Sequence, residues 1–484
     1  MDGSTSEFSD GAPRRASTTN AAAMAVQPRA LDAACIREYD IRGIVDRTLR
    51  VDDMLLIGRA YGTIVAANGG RLVCVGYDGR LSSPRLEAAM VDGLAACGLE
   101  VLRVGLGPSP MLYHAVHTHS ADAGVMITGS HNPPDHNGVK FMLGTASFYG
   151  EDIRRLADLA ETGPLTAGHG HVKDVPAMDA YVARIARDGE EADGLAVAWD
   201  AGNGAAGPAM AALTARLPGR HVLLNETVDG TFPSHHPDPS VAANLAELIT
   251  TVSEEGCDLG IAFDGDGDRI GVVDGKGRMI SGDQLLMLLA REVLAAHPGA
   301  AVVSDVKASE ALYDEVRRLG GTPVMWRTGH SPIKAKMRET GAALAGDVSG
   351  HVFFADRYYG FDDGLYAAVR LLDVVARAGR PLAELIDELP HTVITPELRI
   401  PWADADKFGL IERIRRRLAS IGADVTDIDG VRVRTEDGWW LLRASNTEGA
   451  LTARAEASDD TGLDRLRRQI AESLEACGEN APAL

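Results

Sequence analysis

Leu72-Val73-Cys74-Val75-Gly76-Tyr77-Asp78 is a short apolar run that stops on a carboxylate. It reads as a strand. The Ala/Leu/Arg-rich stretch after it has helical period, and a second strand-like run, Val101–Val104, comes next. The order strand, helix, strand argues an α/β architecture. The same sequence of events recurs twice: Leu195-Ala196-Val197-Ala198-Trp199-Asp200 before Val222–Leu224, and Ala301-Val302-Val303-Ser304-Asp305 before Val324–Trp326. Each unit then has a further apolar run ending in a polar, Gly-rich loop. These are Gly124–Ile127 before Thr128-Gly129-Ser130-His131-Asn132, Leu259–Phe263 before Asp264-Gly265-Asp266-Gly267-Asp268, and Ala342–Ala345 before Gly346-Asp347-Val348-Ser349-Gly350-His351. One structural unit used three times accounts for this, each offering one loop at a strand's carboxyl end, where α/β sheets place ligands.

Beyond about Thr392 the character changes. Val431–Arg434, Trp439–Arg443 and Leu451–Ala455 read as antiparallel strands, followed by a charged helix from Gly462 to Cys477. The expected division is a disordered tail over 1–30, α/β domains with mixed sheets over 31–172, 176–278 and 279–390, and a smaller α+β domain over 391–484.

The 484 residues, 45% apolar and 24% charged, can build several buried cores. Lys and Arg total 48 against 69 Asp and Glu, a formal net charge of −21. That balance opposes a nucleic-acid partner, which calls for a basic face. A local ring of cations can still hold an anionic substrate. Cys35, Cys74, Cys97, Cys257 and Cys477 are scattered and form no C-x-x-C pair, which suits reduced, mostly core-filling thiols of a cytoplasmic protein. The apolar stretches are far too short for a bilayer, so no membrane association is expected.

Four loops carry chemistry. In Thr128-Gly129-Ser130-His131-Asn132-Pro133-Pro134, Gly and two prolines fix a rigid turn with Ser130 at its tip, His131 beside it and Lys140 downstream. Such a serine becomes a nucleophile only with help from a base, a metal or an attacked phosphate. In Asp264-Gly265-Asp266-Gly267-Asp268-Arg269, three carboxylates at alternate positions can converge on one hard cation. An EF-hand is excluded, because the sixth position is Arg269 and the twelfth is Gly275. An aspartyl-phosphatase motif with Asp264 as nucleophile is a rival reading, although Asp268 stands where that motif has Thr or Val. Asp347, Ser349 and His351 suit the hydroxyls of a sugar. Arg443-Ala444-Ser445-Asn446-Thr447-Glu448 supplies a guanidinium, hydroxyls and backbone N–H groups fit for a phosphate that is not transferred.

With these strings in this order, the chain resembles the α-D-phosphohexomutase superfamily, and within it the bacterial phosphomannomutase/phosphoglucomutase branch. The likeness runs from about Ile36 to Ala476 and includes Glu38-Tyr39-Asp40-Ile41-Arg42-Gly43, Asp305-Val306-Lys307 and Thr328-Gly329-His330-Ser331. It implies four domains in a heart-like arrangement whose loops line one central cleft. It implies that Ser130 carries the transferable phosphoryl group and that Asp264, Asp266 and Asp268 bind Mg2+ together with a phosphoserine oxygen. Asp347, Ser349 and His351 then match the sugar-reading loop, and Arg443, Ser445, Asn446 and Thr447 the phosphate clamp. Tyr39, Arg42, His131, Lys140, Arg269, Lys307, Gly329 and His330 match further cleft positions that contact substrate or assist catalysis. Two departures stand out. Asp347 replaces the family's usual Glu, and Gly449 replaces the usual Pro after Glu448.

The activity implied is interconversion of hexose 1-phosphate and hexose 6-phosphate, of mannose or glucose, through phospho-Ser130 and a hexose 1,6-bisphosphate. Asn446-Thr447 argues against the phosphoglucosamine branch, which tends to have Gly-Thr there. Competing readings are a magnesium-dependent sugar phosphatase acting through Asp264 and a non-catalytic sugar-phosphate-binding protein. Hexose phosphates are the expected small-molecule partners, and no obligate protein partner is implied.

Overall fold

Each of the three Asp-ended runs forms an interior strand of its own sheet in the computed structural model, which describes residues 26–189, 193–403, 405–446 and 449–479. Leu72–Tyr77 lies parallel to both Glu100–Leu106 and Ala123–Ile127, and His136–Leu143 then pairs antiparallel with Ala123–Ile127. Ala196–Asp200 sits between Arg220–Leu224 and Leu259–Phe263, with Ile270–Asp274 antiparallel beyond. Ala301–Asp305 sits between Thr322–Trp326 and Leu344–Gly346, with Val352–Phe354 antiparallel beyond. Parallel neighbours need a long crossover, whereas the antiparallel step needs only a short connection. That short connection, at the carboxyl end of the third parallel strand, is the loop that carries chemistry in every unit.

The edges of the sheets are not legible in the sequence. Ile41–Ile44 pairs with His136–Leu143, and His171–Asp174 lies parallel to Glu100–Leu106, so the first sheet has seven strands and runs two residues past the expected boundary at 172. Met279–Ile280 likewise extends the second sheet beyond 278. His171-Val172-Lys173-Asp174 is exposed along its whole length and carries no apolar alternation to betray it. The C-terminal unit is an antiparallel six-stranded sheet packed by helices Lys407–Ser420 and Asp460–Glu475. The tail expected over 1–30 falls mostly outside the described residues, which begin at Val26.

One large core joins the first three units. It takes in Val104 and Leu112, Trp199 and Phe263, and Leu286 and Leu365, so the loops on these sheets are held in fixed relation. Cys35, Cys74, Cys97 and Cys257 are buried free thiols, as their scatter suggested. Among the described residues no helix is long and apolar enough to cross a membrane.

Candidate functional site

Ser130 has a φ of 49°, a left-handed conformation uncommon outside glycine. Thr128 Oγ1 accepts its N–H at 2.8 Å, and the turn directs Ser130 Oγ to Asp264 Oδ2 at 2.9 Å. His131 Nδ1 lies 3.2 Å from the same hydroxyl. Burial, then Arg269, Arg42 and Lys140 nearby, hold the His131 ring well below its usual pKa and therefore neutral. Arg42 NH1 donates to Asn132 Oδ1 at 2.9 Å and pairs with Asp40, bracing the loop from the first strand.

Asp264, Asp266 and Asp268 are fully buried, with one oxygen from each lying within 4.8 Å of the others. Lys140 Nζ reaches Asp266 Oδ2 at 2.7 Å and Asp268 Oδ2 at 2.5 Å. Burial and the two neighbouring carboxylates push Asp264 well above the usual carboxylate range. Burial would raise Asp268 too, but Lys140 and His351 hold it well below. Asp266 Oδ1 and Asp268 Oδ1 remain buried without a hydrogen-bond donor. Three carboxylates, two orphaned oxygens and one compensating ammonium fit a hard divalent cation.

The third loop is stitched to the second. Ile270 N donates to Gly350 O at 3.0 Å, and His351 Nε2 lies 3.5 Å from Asp268 Oδ1. Asp347 turns back on its own loop. Its Oδ1 accepts from Ser349 N (3.0 Å), Ser349 Oγ (2.7 Å) and His351 N (3.1 Å), and its Oδ2 faces His351 Nδ1 at 3.0 Å. Burial and Arg269 would lower His351, yet Asp347 and Asp268 outweigh them and lift its pKa to about 9. These carboxylates hold the ring towards its charged form, and Arg269 Nε approaches its Nε2 at 3.3 Å. His330 stacks on His351 at 5.5 Å between centroids, but burial and Lys334 take its pKa down to about 4. One neutral and one charged imidazole stand side by side.

Gly329 is needed before His330. Its φ is 118°, and a Cβ there would fall 2.5 Å from the Tyr39 ring. Tyr39 OH donates to Thr328 O at 2.6 Å and accepts from Asn446 Nδ2 at 2.9 Å, joining the first, third and fourth units. Lys307 Nζ pairs with Glu397 Oε2 at 2.9 Å, and Arg443 Nε donates to Asp429 Oδ2 at 3.1 Å. Ser445 is buried, while Thr447 lies outside the described residues. Sequence reasoning missed Asp362, which faces His330 Nδ1 at 3.3 Å and Lys334 Nζ at 2.8 Å, as well as Asp429 and Glu397. The doubled acid of Phe361-Asp362-Asp363-Gly364 was the available signal for the first.

Family models for phosphoglucomutase/phosphomannomutase match four times: α/β/α domain I over 34–163, domain II over 179–277, domain III over 281–393 and the C-terminal domain over 397–473. A phosphomannomutase/phosphoglucomutase of Pseudomonas aeruginosa is 43% identical over 452 residues, covering 93% of this chain and 98% of its own. A phosphoglucomutase of Neisseria gonorrhoeae is 41% identical over 444 residues, covering 91% and 96%. The crystal structure of a phosphoglucomutase/phosphomannomutase family protein from Burkholderia thailandensis superposes with a TM-score of 0.88 at 43% identity, covering 93% of this chain and 99% of that one.

Proposed function

The chain belongs to the phosphoglucomutase/phosphomannomutase family, and from that premise we propose that Ser130 carries the phosphoryl group it transfers. It is an enzyme, a hexose-phosphate mutase on the four-domain fold of that superfamily. The observation that carries the reading is the 2.9 Å bond from the strained Ser130 tip to Asp264, within a nest of buried carboxylates.

Phospho-Ser130 gives its phosphoryl group to the free hydroxyl of a hexose 1- or 6-phosphate, and the serine oxygen keeps the electron pair of the broken P–O bond. The hexose 1,6-bisphosphate then turns over in the cleft and returns its other phosphoryl group to the serine. Magnesium, held by Asp264, Asp266 and Asp268, would neutralise charge developing on the transferred group. His330, kept neutral, can accept the proton of the attacking hydroxyl, and charged His351 can return one. Arg443, Ser445, Asn446 and Thr447 hold the phosphate that stays behind. Asp347, Ser349 and His351 read the sugar, and Arg42, Lys140, Arg269 and Lys307 supply positive charge to the cleft. The partners are small-molecule hexose phosphates, and the site of action is the cytoplasm.

The phosphatase alternative is not favoured. Asp264 Oδ2 accepts from Ser130 and Oδ1 from Arg269 N at 3.3 Å, so neither oxygen is presented as a nucleophile. Incubation with glucose 1,6-bisphosphate and then peptide mass spectrometry tests the assignment. Phosphate on Ser130, with Ser130→Ala inactive and folded, is the expected result. Label on Asp264, no label, or an active Ser130→Ala overturns it. A coupled assay on mannose 1-phosphate, glucose 1-phosphate and glucosamine 1-phosphate then ranks the sugars.

A further inference from the structure

Beneath the Ser130 loop lies an arginine to which the phosphoryl transfer itself gives no part. The Arg80 side chain is completely buried, and its two terminal nitrogens donate to four main-chain carbonyls of that loop. NH2 reaches Ser130 O at 2.7 Å and Asn132 O at 2.6 Å; NH1 reaches Pro133 O at 2.5 Å and His136 O at 3.0 Å. The counter-charge is Asp78, the carboxylate that ends the first Asp-ended strand, whose Oδ2 lies 3.2 Å from Arg80 Nε. The same Oδ2 accepts Gly129 N at 3.1 Å, while Oδ1 accepts Arg80 N at 3.0 Å and Ser83 Oγ at 2.5 Å. One buried ion pair thus ties both the donors and the acceptors of the loop to the sheet. Phe232, from the second unit, covers the guanidinium at 5.1 Å from its ring centre.

The fit is close. A Cβ on Gly129 would fall 2.5 Å from Arg80 Nε and 2.6 Å from Cζ, so the loop backbone lies directly against the guanidinium. A left-handed serine persists only where its surroundings over-determine it. Here Thr128 Oγ1 fixes the Ser130 amide and Arg80 fixes the Ser130 carbonyl, and from the backbone so held the side chain reaches Asp264. A planar fork can gather four carbonyls in one plane, whereas an ammonium is a point charge with three donors.

We propose that Arg80 is a positioning residue for phosphoryl transfer: by gathering the carbonyls of Ser130, Asn132, Pro133 and His136 it holds Ser130 in the left-handed turn that aims Oγ at the acidic triad. This rests on the reading of Ser130 as the phosphoryl carrier. It predicts that misplacing the loop slows the loading of Ser130 while leaving substrate binding, which belongs to other loops, almost untouched.

The test compares Arg80→Lys, Gly129→Ala and Ser130→Ala with the wild-type chain. Circular dichroism and thermal midpoint report folding, intact-mass spectrometry reports the rate of Ser130 phosphorylation by glucose 1,6-bisphosphate, and steady-state kinetics on glucose 1-phosphate separate kcat from KM. Arg80→Lys is expected to fold and to lose about 100-fold in both phosphorylation rate and kcat, with KM within about threefold. Gly129→Ala keeps the arginine but pushes its guanidinium off the loop, and should show the same signature if Arg80→Lys does not fold. Wild-type phosphorylation in a folded variant, or a loss of kcat no larger than the unfolded fraction, overturns the proposal. Unfolding of both variants also overturns it, by making Arg80 a structural residue. An active Ser130→Ala removes the Ser130 reading itself, whereas an inactive Ser130→Ala beside a wild-type Arg80→Lys removes only the role of Arg80.

Discussion

Asp347 uses both oxygens inside its own loop, three donors on Oδ1 and the His351 ring on Oδ2. From sequence, its missing methylene reads as lost reach towards a sugar. The structure gives the shorter chain a second consequence, since an aspartate is the length that folds back onto backbone N–H groups two and four residues on. Asp347→Ala would strand those donors and release His351. Each lost bond to a carboxylate is worth about 1.5–3 kcal/mol, so kcat/KM on both glucose 1-phosphate and mannose 1-phosphate should fall at least about tenfold in steady-state assays. Wild-type values on both sugars would remove this loop from the site. Asp266→Asn tests the triad: it removes one negative charge facing Lys140 and replaces a carboxylate ligand of the cation with a weaker, neutral amide oxygen. After EDTA treatment, both the activity and the thermal midpoint of this variant should need more magnesium for recovery than the wild type. Wild-type activity that survives EDTA would refute the cation reading. Ser130, the triad and Arg443 stood out because each sits in a short string of unusual composition, whereas Lys140 was reached only as the lysine downstream of the Ser130 turn. Asp362, Asp429, Glu397 and Arg80 did not stand out, because what they do depends on partners that only the fold brings near. Asp429 accepts Thr328 N at 3.0 Å from 101 residues away in the chain.

At the scale of elements, the terminal Asp of each central strand does one job three times. Asp78, Asp200 and Asp305 each accept the N–H two residues on, from Arg80 at 3.0 Å, Gly202 at 2.8 Å and Lys307 at 2.9 Å. That local bond is why the three strands could be read as repeats. Past the turn the units diverge: Arg80 folds under its own loop, whereas Lys307 points to Glu397 in the last unit. The antiparallel fourth strands were harder to see. His136-Asn137-Gly138-Val139-Lys140 breaks every period, since its Lys is aimed at the acidic triad. The helix Gly364–Ala378 carries another buried acid at its start. Asp363 caps it by accepting Tyr366 N at 2.9 Å and also receives the Tyr181 and Tyr358 hydroxyls at 2.9 Å each. Burial nevertheless lifts its pKa to about 7. A raised carboxyl pKa means that the folded chain keeps a proton the unfolded chain releases. The resulting stability is full below about pH 4 and is lost as pH rises through 7. Asp363→Asn has no such proton to lose. Its thermal midpoint relative to wild type should therefore improve from pH 5 to pH 8, and a constant difference across that range would refute the argument.

For the whole molecule, the question is how four loops on separate sheets enclose one substrate. The first three units share a core, but the C-terminal unit has its own and leans mainly on the third. Arg432 donates to Val306 O and Ala308 O at 2.8 Å each while stacked 3.7 Å from the Trp439 ring centre, and Arg454 pairs with Asp283 at 3.0 Å. Towards the first unit it reaches through Asn446 to the Tyr39 hydroxyl, which also donates to Thr328 O. That hydroxyl can thus act as a latch between the first, third and fourth units. Burial pushes its pKa up to about 12, so it stays protonated over any ordinary assay range. A mutase that releases its bisphosphate before the second transfer is left without its phosphoryl group and must be reloaded from solution. Tyr39→Phe keeps the ring against Gly329 and removes only the two bonds, each worth about 0.5–1.5 kcal/mol net. The fold should be unaffected and kcat/KM should drop about tenfold. The more telling readout is the concentration of added glucose 1,6-bisphosphate that restores half-maximal rate, which should rise as the latch loosens and the intermediate escapes. If Tyr39→Phe needs no more bisphosphate than wild type, the C-terminal unit is held closed by its contacts with the third unit alone, and Tyr39 is a wall of the cleft rather than its latch.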